Sequence, residues 1–400
     1  MKKIIYIKYG ELTLKGKNRK HFVSVLSQNV KRALCEFKNI IIDKKFDCMI
    51  LKNIDNNQLE DIVQILKFIP GIYYISIATQ IENDINIIKK CCIEIALDNY
   101  FDGATFRITC HRHDKNYFLT SNEIISIVAG EILENSKYQV NLKKYSLNIN
   151  IEIKNDCAII FTNQIRGLGG LPVGSNGRVL VLLSGGIDSP IASKLLLNRG
   201  LNVDFLTFIT PPHTSEKALE KVRKLSQLIS IDNKISNSKL FICNFTMLMH
   251  ELTHINKESY RITLMRRYFL KIAKYLKEKY GYHAIATGDS IGQVASQTLE
   301  SMDVISSSIN DCLILRPLLT FDKEQIISLA KFYGTYETSI LPYNDSCSLF
   351  APKNPTTKPN IQTVLELEEK LVLIDNILDN VIKNHIWIEE FYNGTWSKKN

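Results

Sequence analysis

The sequence VLVLLSGGIDSPIASKLLLNRG occupies residues 179–200 and contains a strand signal, a loop signal and a helix signal in succession. The apolar run Val179–Leu183 predicts a buried strand, and the residues from Pro190 to Arg199 predict a helix. Between them, Gly-Gly lets backbone amides approach an anion, Ser184 and Ser189 offer hydroxyl donors, and the following helix points its positive end at the same place. The segment therefore predicts a pyrophosphate-binding loop.

This loop differs from a Walker loop, which would need Gly-x4-Gly-Lys-Ser/Thr, a string that occurs nowhere in the chain. Asp188 lies within it, and a carboxylate in an anion site usually holds magnesium or orients a donor. The alternative interpretation is an ordinary strand-to-helix turn with a serine cap. The complete SGGxDS pattern in strand-loop-helix order favours the phosphate site. It resembles the PP-loop of the ATP pyrophosphatase superfamily, which implies ATP, Mg2+ and adenylation of a substrate.

The rest of the second half alternates strand and helix signals, which predicts a parallel sheet covered on both faces. Strands are expected at 203–209, 240–245 and 284–287, helices at 215–229 and about 258–279, and mostly amphipathic helix after Pro359.

The first half predicts two smaller modules. Strand signals at 3–9, 40–42, 47–52 and 72–79 and helix signals at 19–37 and 57–67 follow the order β-α-β-β-α-β, which fits a split βαβ sandwich. A second α/β module follows, with elements at 84–100, 104–109, 121–134, 145–153 and 157–162. The glycine-rich stretch from Arg166 predicts a loop between domains.

Composition narrows the class of protein. The chain has 400 residues, of which 45% are hydrophobic and 23% charged, so a single small module, a disordered chain and a coiled-coil rod are excluded. A net charge of +9 makes a polyanionic partner plausible. Nine cysteines, no export signal and no run of about 18 apolar residues predict a reduced, cytoplasmic protein without a membrane segment.

Several strings spread over nearly the whole chain resemble those of one family. They are KYGELTLKGKNRKHF (8–22), FRITCHRHDKNY (106–117), TFITPPHTSEKALEKV (207–222), SYRITLMRRYFLKIA (259–273), ATGDSIGQVASQTLESM (286–302), LRPLLTFDKEQII (315–327) and ETSILPYNDSCSLFAPKNPTTKP (337–359). The chain is thus similar to the ThiI family of tRNA 4-thiouridine synthetases (tRNA sulfurtransferases), in a short form without the rhodanese domain.

The resemblance implies an α/β multidomain fold. A ferredoxin-like α+β domain is expected at 1–56, a THUMP RNA-binding domain at 57–165, a linker at 166–178, and a Rossmann-like PP-loop ATP pyrophosphatase domain with a parallel sheet at 179–400. The first two domains would bind tRNA, and the third would activate a uridine.

The resemblance also implies the ATP-binding positions. Phosphate would meet the loop, the adenine would lie at the end of the second strand, and further contacts would come from three later motifs. The phosphate-binding residues would be Leu183, Ser184, Gly185, Gly186, Asp188 and Ser189. The adenine would contact Phe208 and Ile209, and the later motifs would contribute Arg266, Gly288 and Gln297. Without the resemblance, Arg266 could equally be a solvated residue on a helix face.

Cys347 lies in a polar loop and matches the cysteine that relatives use for sulfur transfer. The implied reaction adenylates O4 of uridine at position 8 of tRNA, and sulfur from a Cys347 persulfide then displaces AMP. With no rhodanese domain, a cysteine desulfurase would load Cys347 directly. Cys243, Cys312 or an external reductant could resolve the enzyme. A homodimer is implied, and sulfur transfer to the ThiS carrier for thiamin thiazole synthesis stays open as a second role.

Basic residues cluster at two places in the first half, as expected for a surface that meets a phosphate backbone. They are Lys15, Lys17, Arg19 and Lys20, and then Arg112, His113 and Lys115. The alternative is a solvated basic surface without a ligand.

Two rival functions come from other classes. His250-Glu-Leu-Thr-His254 matches the HExxH pattern of zinc peptidases, which requires both imidazoles on one helix face. A non-catalytic tRNA-binding protein is the other rival. A peptidase would have no use for the SGGIDS loop, and a non-catalytic tRNA-binding protein would have no use for that loop or for Cys347. We therefore favour the sulfurtransferase and predict no resident metal.

Overall fold

A computed structural model describes residues 3–231, 238–343, 352–392 and 395–398. The chain forms two compact units, Met1–Gly170 and Leu171–Asn400. The border between them falls inside the stretch predicted as a linker, whose limits stay a prediction.

The strands of the first unit form a single sheet. They are β1 (Lys3–Tyr9), β2 (Ile41–Lys44), β3 (Cys48–Lys52), β4 (Ile72–Ile81), β5 (Thr105–Arg112), β6 (Gln139–Val140), β7 (Leu147–Ile153), β8 (Ala158–Phe161) and β9 (Ile165–Arg166). The helices are α1 (Arg19–Ala33), α2 (Leu59–Leu66), α3 (Ile85–Asp98) and α4 (Ser121–Asn135). The order across the sheet is β2-β3-β1-β4-β8-β7-β5-β6, and β9 pairs with β4.

The long strand β4 joins the two modules predicted from the first half, because it pairs with β1 and also with β8. Its neighbours are antiparallel, whereas β5 runs parallel to both β6 and β7. Helices α3 and α4 pack an apolar core on β5 and β7 that includes Ile88, Ile124 and Ile149. The mixed α+β architecture confirms the predicted fold of this half.

The second unit carries its own sheet. Its strands are β10 (Arg178–Leu182), β11 (Asn202–Ile209), β12 (Lys239–Asn244), β13 (Ala284–Ala286), β14 (Ile314–Leu315), β15 (Ile386–Tyr392) and β16 (Thr395–Lys398). Its helices are α5 (Asp188–Asn198), α6 (Glu216–Ile231), α7 (Thr246–Leu252), α8 (Arg261–Tyr280), α9 (Leu299–Ser306), α10 (Lys323–Phe332), α11 (Tyr336–Ser339), α12 (Ile361–Lys370) and α13 (Ile374–Asn384).

The strand order of this sheet is β14-β13-β10-β11-β12-β15-β16, and the strands from β14 to β12 are parallel. The chain leaves β10 toward β11 on one side and later returns to β13 on the other side. Ligands of open parallel sheets bind where the strand order reverses in this way. The predicted parallel sheet is confirmed, and its reversal point lies at the end of β10, where the SGGIDS loop begins.

The expectation of mostly helix after Pro359 is wrong for the last part of the chain. Helices α12 and α13 are present, but β15 and β16 follow them and extend the sheet antiparallel from β12. The sequence Ile386–Tyr392 is rich in β-branched and aromatic residues, and the following Asn393-Gly394 is a strong hairpin signal. Arg223 of α6 donates to both carboxylate oxygens of Glu389 at 2.8–3.2 Å and fixes β15 to the sheet.

None of the helices in the described part of the chain is both long and apolar enough to cross a bilayer.

Candidate active site

The loop after β10 is shaped by its own two serines. The Ser184 amide donates to the Ser189 hydroxyl at 2.9 Å, and the Gly186 amide donates to the Ser184 hydroxyl at 3.2 Å. Helix α5 begins at Asp188, before the predicted start at Pro190, since proline is favoured in a first helical turn where no backbone N–H is needed. Asp188 and Ser189 therefore lie in the first turn of α5, at its positive end.

Gly288 permits this helix to approach the end of β13. A Cβ atom at this position would lie 2.7 Å from the Ser189 nitrogen and 2.9 Å from its Cα. These neighbours are backbone atoms, so a side chain could be accommodated only by moving the first turn of α5. Gly288 is thus needed for close packing, whatever contact it makes with a ligand.

A cavity of about 290 Å³ opens beside this loop at the ends of the parallel strands. It includes most of the residues predicted to bind ATP: Leu183, Ser184, Asp188, Ser189, Phe208, Ile209, Arg266, Gly288 and Gln297. Gly185 and Gly186 belong to the loop but do not line the cavity. The structure therefore brings together positions that are far apart in the chain, and their role in binding ATP stays a prediction.

Part of the cavity lining is apolar. The ring of Phe208 stacks on that of Phe269, with centroids 3.8 Å apart and planes 8° from parallel, and Phe245 packs edge-on against both rings. Ile262 and Met265 of α8 line the same region. A lining of this kind suits a flat aromatic group such as a nucleobase.

The polar part of the lining is organised by Asp289, which the sequence alone did not indicate. Its carboxylate accepts hydrogen bonds from Arg266 at 2.5 Å, from the Thr287 hydroxyl at 2.7 Å and from Gln297 at 3.3 Å, and Arg316 lies 3.4 Å away. Burial alone would raise the pKa of Asp289, but the positive charge of Arg266 and the Thr287 hydrogen bond hold it below its ordinary value. Asp289 is therefore a buried anion that aims two of the predicted ATP contacts.

Arg266 is not a solvated residue on a helix face. Its side chain is mostly buried, and its guanidinium also donates to the backbone oxygen and the hydroxyl of Ser296, each at 3.1 Å. Held in this way along the cavity wall, it presents a fixed positive charge to an anionic ligand.

The carboxylate of Asp188 is held from two sides. Lys323, the first residue of α10, donates to Oδ1 at 2.7 Å, and Gln293 donates to Oδ2 at 2.8 Å. Neither partner was selected from the sequence. A carboxylate has about four lone-pair sites, so these two bonds leave capacity for a further ligand. Magnesium in ATP sites is commonly held by one or two carboxylates together with substrate phosphates, and Asp188 at the phosphate loop fits that requirement.

Three protein-family models match the chain. The first, described as thiamine biosynthesis protein (ThiI), matches residues 174–373, the ThiI ferredoxin-like domain matches 4–76, and the THUMP domain matches 82–163. The chain belongs to the ThiI family. The resemblance seen in the sequence is thereby confirmed, together with the fold class that it implied.

Relatives in the ThiI family match over nearly their full length. A probable tRNA sulfurtransferase from Ureaplasma parvum is 52% identical over 387 residues, which is 96% of this chain and 98% of that protein. One from Malacoplasma penetrans is 45% identical and covers 98% of this chain and 100% of its own. A crystal structure described as a 4-thiouridine synthetase–RNA complex with bound ATP superimposes with a TM-score of 0.87 and 34% identity, over 98% of this chain and 100% of that one.

Cys347, the predicted sulfur carrier, lies outside the described residues. The two candidate resolving thiols can be compared. Cys243 is fully buried in β12, and burial raises the pKa of its thiol. Cys312 is half-buried, and burial also raises the pKa of its thiol, against the opposing charge of Lys277. A buried thiol with a raised pKa is a poor nucleophile, which disfavours Cys243.

The HExxH string does not form the expected zinc geometry. Helix α7 ends at Leu252, so His254 lies beyond it, and the rings of His250 and His254 stand at 89° to each other. Glu251 faces His254 at 3.5 Å. In the described part of the chain, the motif does not bring three ligand atoms within 4.8 Å of one another. The peptidase interpretation requires both histidines on one helix face, and the structure does not place them there.

The first basic cluster lies at the start of α1. Lys17 and Lys20 are exposed, whereas Lys15 is half-buried 3.6 Å from Glu11 and the guanidinium of Arg19 lies 3.1 Å from the ring centroid of Phe46. Two of the four charges are therefore partly engaged within the first unit, and all four keep their predicted role in binding tRNA.

The residues of the second basic cluster make more hydrogen bonds within the first unit. Arg112 donates to the backbone oxygens of Tyr117 at 3.1 Å and Leu119 at 2.9 Å, so its guanidinium supports the loop after β5. His113 faces Glu152. Lys115 is exposed. Sequence alone shows that these charges are clustered but not which backbone carbonyls they satisfy.

Glu152 of β7 is a second buried carboxylate that the sequence did not indicate. It accepts from the Tyr6 hydroxyl at 2.5 Å, lies 3.1 Å from His113 Nε2 and forms an ion pair with Lys8. Burial alone would raise the pKa of Glu152, but the hydrogen bond to His113 and the charge of Lys8 lower it to about 2.

Oxygen and nitrogen atoms of Asp47, His113 and Glu152 lie within 4.8 Å of one another. Lys154 donates to Asp47 at 3.0 Å, so a lysine pairs with each carboxylate. Since two ammonium groups already neutralise this cluster, we assign no metal ion to it.

Proposed function

We propose that the protein is an ATP-dependent tRNA sulfurtransferase that forms 4-thiouridine at position 8 of tRNA. The observation that carries the proposal is the cavity at the reversal point of the parallel sheet. There the serine-shaped loop, the first turn of α5 and the guanidinium of Arg266 converge beside an apolar slot. This support is joined by the family relatives and by the matching structure that holds both RNA and ATP.

In the first step, O4 of the uracil attacks the α-phosphorus of ATP. The bond between the α-phosphorus and the bridging oxygen breaks, pyrophosphate leaves with that electron pair, and the N3 proton of the base is released. Arg266 and Lys323 stabilise the negative charge that moves toward the departing pyrophosphate. The stacked rings of Phe208 and Phe269 border the adenine.

Asp188 would hold a magnesium ion that accompanies ATP. Such an ion supplies positive charge to the phosphate oxygens. The chain's own contribution here is the orientation of the Asp188 carboxylate by Lys323 and Gln293.

In the second step, the terminal sulfur of a Cys347 persulfide attacks C4, and AMP leaves with the C4–O bonding pair. This forms a disulfide between Cys347 and the base. A second thiol then attacks the Cys347 sulfur, which releases 4-thiouridine and leaves Cys347 in a new disulfide. Because Cys243 is buried, we assign that attack to Cys312 or to an external dithiol, and a dithiol reductant regenerates Cys347.

The proposal includes the partners and setting expected from the sequence. The substrate is tRNA, a cysteine desulfurase supplies the persulfide, the enzyme works as a homodimer in the cytoplasm, and the ThiS carrier is a second acceptor. It also keeps the predicted domain ranges 1–56, 57–165 and 179–400.

The test is mass analysis of tRNA nucleosides from cells whose only copy of the gene encodes the wild type, Cys347→Ser or Asp188→Ala. We expect 4-thiouridine in the wild type and in a Cys35→Ser control, which alters an exposed cysteine, and none in the other two strains. Wild-type levels of 4-thiouridine in both variants would refute the mechanism. Peptidase activity that is lost on zinc chelation, with unmodified tRNA, would favour the HExxH rival.

A further inference from the structure

Residues 290–297 form a tight turn next to the phosphate loop. Gly292 has φ +75°, its amide donates to the Gln297 oxygen at 2.9 Å, and the Gln297 amide donates to the Val294 oxygen at 2.9 Å. The Ile291 amide and the Ser290 hydroxyl bond to backbone oxygens at 319 and 321. The backbone of the turn is therefore held on several sides.

This turn presents glutamine side chains to two carboxylates. Gln293 donates to Asp188 at 2.8 Å, and Gln297 donates to Asp289 at 3.3 Å. Asp188 belongs to α5 and Asp289 follows β13, so one turn contacts two carboxylates of the cavity lining that come from different elements. The role implied by the family resemblance covers Gln297 but not Gln293.

The carboxylate of Asp188 needs such a restraint. The terminal torsion of an aspartate is broad, so one hydrogen bond leaves the plane of the carboxylate free to turn. Lys323 is a long side chain that is 42% exposed, whereas Gln293 projects from the fixed turn. Side-chain donors on both oxygens, one of them carried by the fixed turn, define the plane of the carboxylate.

The other end of the Gln293 amide argues against a purely structural role. Its Oε1 atom is buried and has no hydrogen-bond partner among the described residues. An unsatisfied buried acceptor destabilises a fold, and such groups call for a functional explanation. The side chain is thus placed for its donor end, which meets Asp188.

We propose that Gln293 is a positioning residue for ATP activation: it fixes the Asp188 carboxylate so that the remaining lone pairs of Asp188 face the phosphates and their counterion. This inference rests on the proposed function. It predicts that Gln293 acts only through Asp188.

A double-mutant cycle on the full chain tests this dependence. Gln293→Leu removes the donor, Gln293→Met does so with a flexible side chain of similar length, and Val294→Ala changes an exposed neighbour in the same turn. We would measure pyrophosphate release with unmodified tRNA, ATP and magnesium. Calorimetric affinity for ATP with and without magnesium gives a readout that needs no turnover.

In the wild-type background, Gln293→Leu should lower kcat for pyrophosphate release by about tenfold or more, as for partners that orient a ligand side chain. ATP affinity without magnesium and the thermal midpoint should match those of Val294→Ala, whereas ATP affinity with magnesium should fall. In an Asp188→Ala background, where no turnover is expected, Gln293→Leu should not lower the ATP affinity measured with magnesium any further. If Gln293→Leu does not fold, the cycle is run with Gln293→Met.

A further loss of ATP affinity in the Asp188→Ala background would overturn the inference, as would equal losses of ATP affinity with and without magnesium. A wild-type enzyme that releases no pyrophosphate with tRNA would instead refute the proposed function itself. The two failures are therefore distinguishable.

Discussion

Asp289 and Glu152 are both buried carboxylates surrounded by positive groups, but they lie in different kinds of structure. Asp289 follows β13 at the end of a parallel strand, and its partners Arg266 and Gln297 line the cavity beside the phosphate loop. Glu152 lies within β7, and its partners Tyr6 and Lys8 come from β1 of the same sheet.

The comparison shows that a buried charge cluster does not by itself identify a site. Removing one partner of a buried ion pair is strongly destabilising wherever the pair lies. What distinguishes Asp289 is that the groups it orients converge on a glycine-dependent loop and a helix N-terminus. We therefore expect substitutions at Asp289 to affect nucleotide chemistry as well as stability, and substitutions at Glu152 to affect only the stability of the first unit.

Asp289→Asn should have the largest effect on activity. The variant keeps the shape of the side chain but leaves the guanidinium groups of Arg266 and Arg316 without their anion, so the ATP contacts lose their orientation. We expect kcat/KM for ATP to fall by about 100-fold or more, which corresponds to roughly 3 kcal/mol. Steady-state pyrophosphate release measures it, and activity within a few-fold of wild type would contradict the assigned role.

Gly288→Ala should have the second-largest effect on activity. The new Cβ would lie 2.7 Å from the Ser189 nitrogen, so the first turn of α5 must shift. Overpacking of this kind costs about 1–3 kcal/mol. We expect about tenfold slower pyrophosphate release with tRNA binding unchanged. Gly281→Ala, at a glycine with open space around it and φ +69°, controls for a general loss of stability.

Glu152→Gln should lower the stability of the first unit and leave nucleotide chemistry unchanged. The pKa of Glu152 is lowered from 4.5 to about 2 in the folded chain, so its charge stabilises the fold above about pH 4.5 and that contribution is lost as pH falls toward about 2. Its size is about 3 kcal/mol near neutral pH. We expect faster hydrogen exchange in β7 and β1 at pH 7, and a difference from wild type that shrinks below pH 4.5.

The same Glu152→Gln variant should bind ATP with wild-type affinity, because Asp289 and the phosphate loop belong to the other unit. Calorimetry with the full chain measures this. A large loss of ATP affinity would break the distinction between the two carboxylates.

Lys17→Ala should have the smallest effect. Lys17 is exposed at the start of α1, so we expect a modest loss of tRNA affinity and a decrease of about 0.7–0.9 in the slope of log affinity against log salt. Fluorescence anisotropy at several salt concentrations measures both. Lys383→Ala, an exposed lysine of the second unit, is the matched control, and an equal change there would remove the case for a tRNA contact at Lys17.

The sequence indicated features whose signals are local. Strand β10, the serine-glycine loop and helix α5 follow one another without interruption, so their order alone predicts a phosphate site at a parallel sheet. Family strings then located Arg266, Gly288 and Gln297. The structure brings these residues to one cavity.

Long-range partners could not be found in this way. Lys323 lies 135 positions from Asp188, and Gln293 lies 105 positions from it. Their pairing arises only when the segments after β13 and β14 reach the same sheet end. The role of Asp289 is hidden for the same reason, although it stands directly beside Gly288 in the quoted ATGDS string. Strand β15 follows directly on two helices, so the helical periodicity before it hides the hairpin signal after it.

Strand β15 has a consequence for the order in which the protein acquires structure during synthesis. All strands of the first sheet lie between Lys3 and Arg166, so that sheet can be completed early, as expected for domains that fold in order from the N-terminus. Strand β12, by contrast, receives its neighbour β15 only after α13 has been made. Until then its edge is open to pairing with other chains. The emerging chain should therefore present a finished first sheet while its second sheet still awaits β15 and β16.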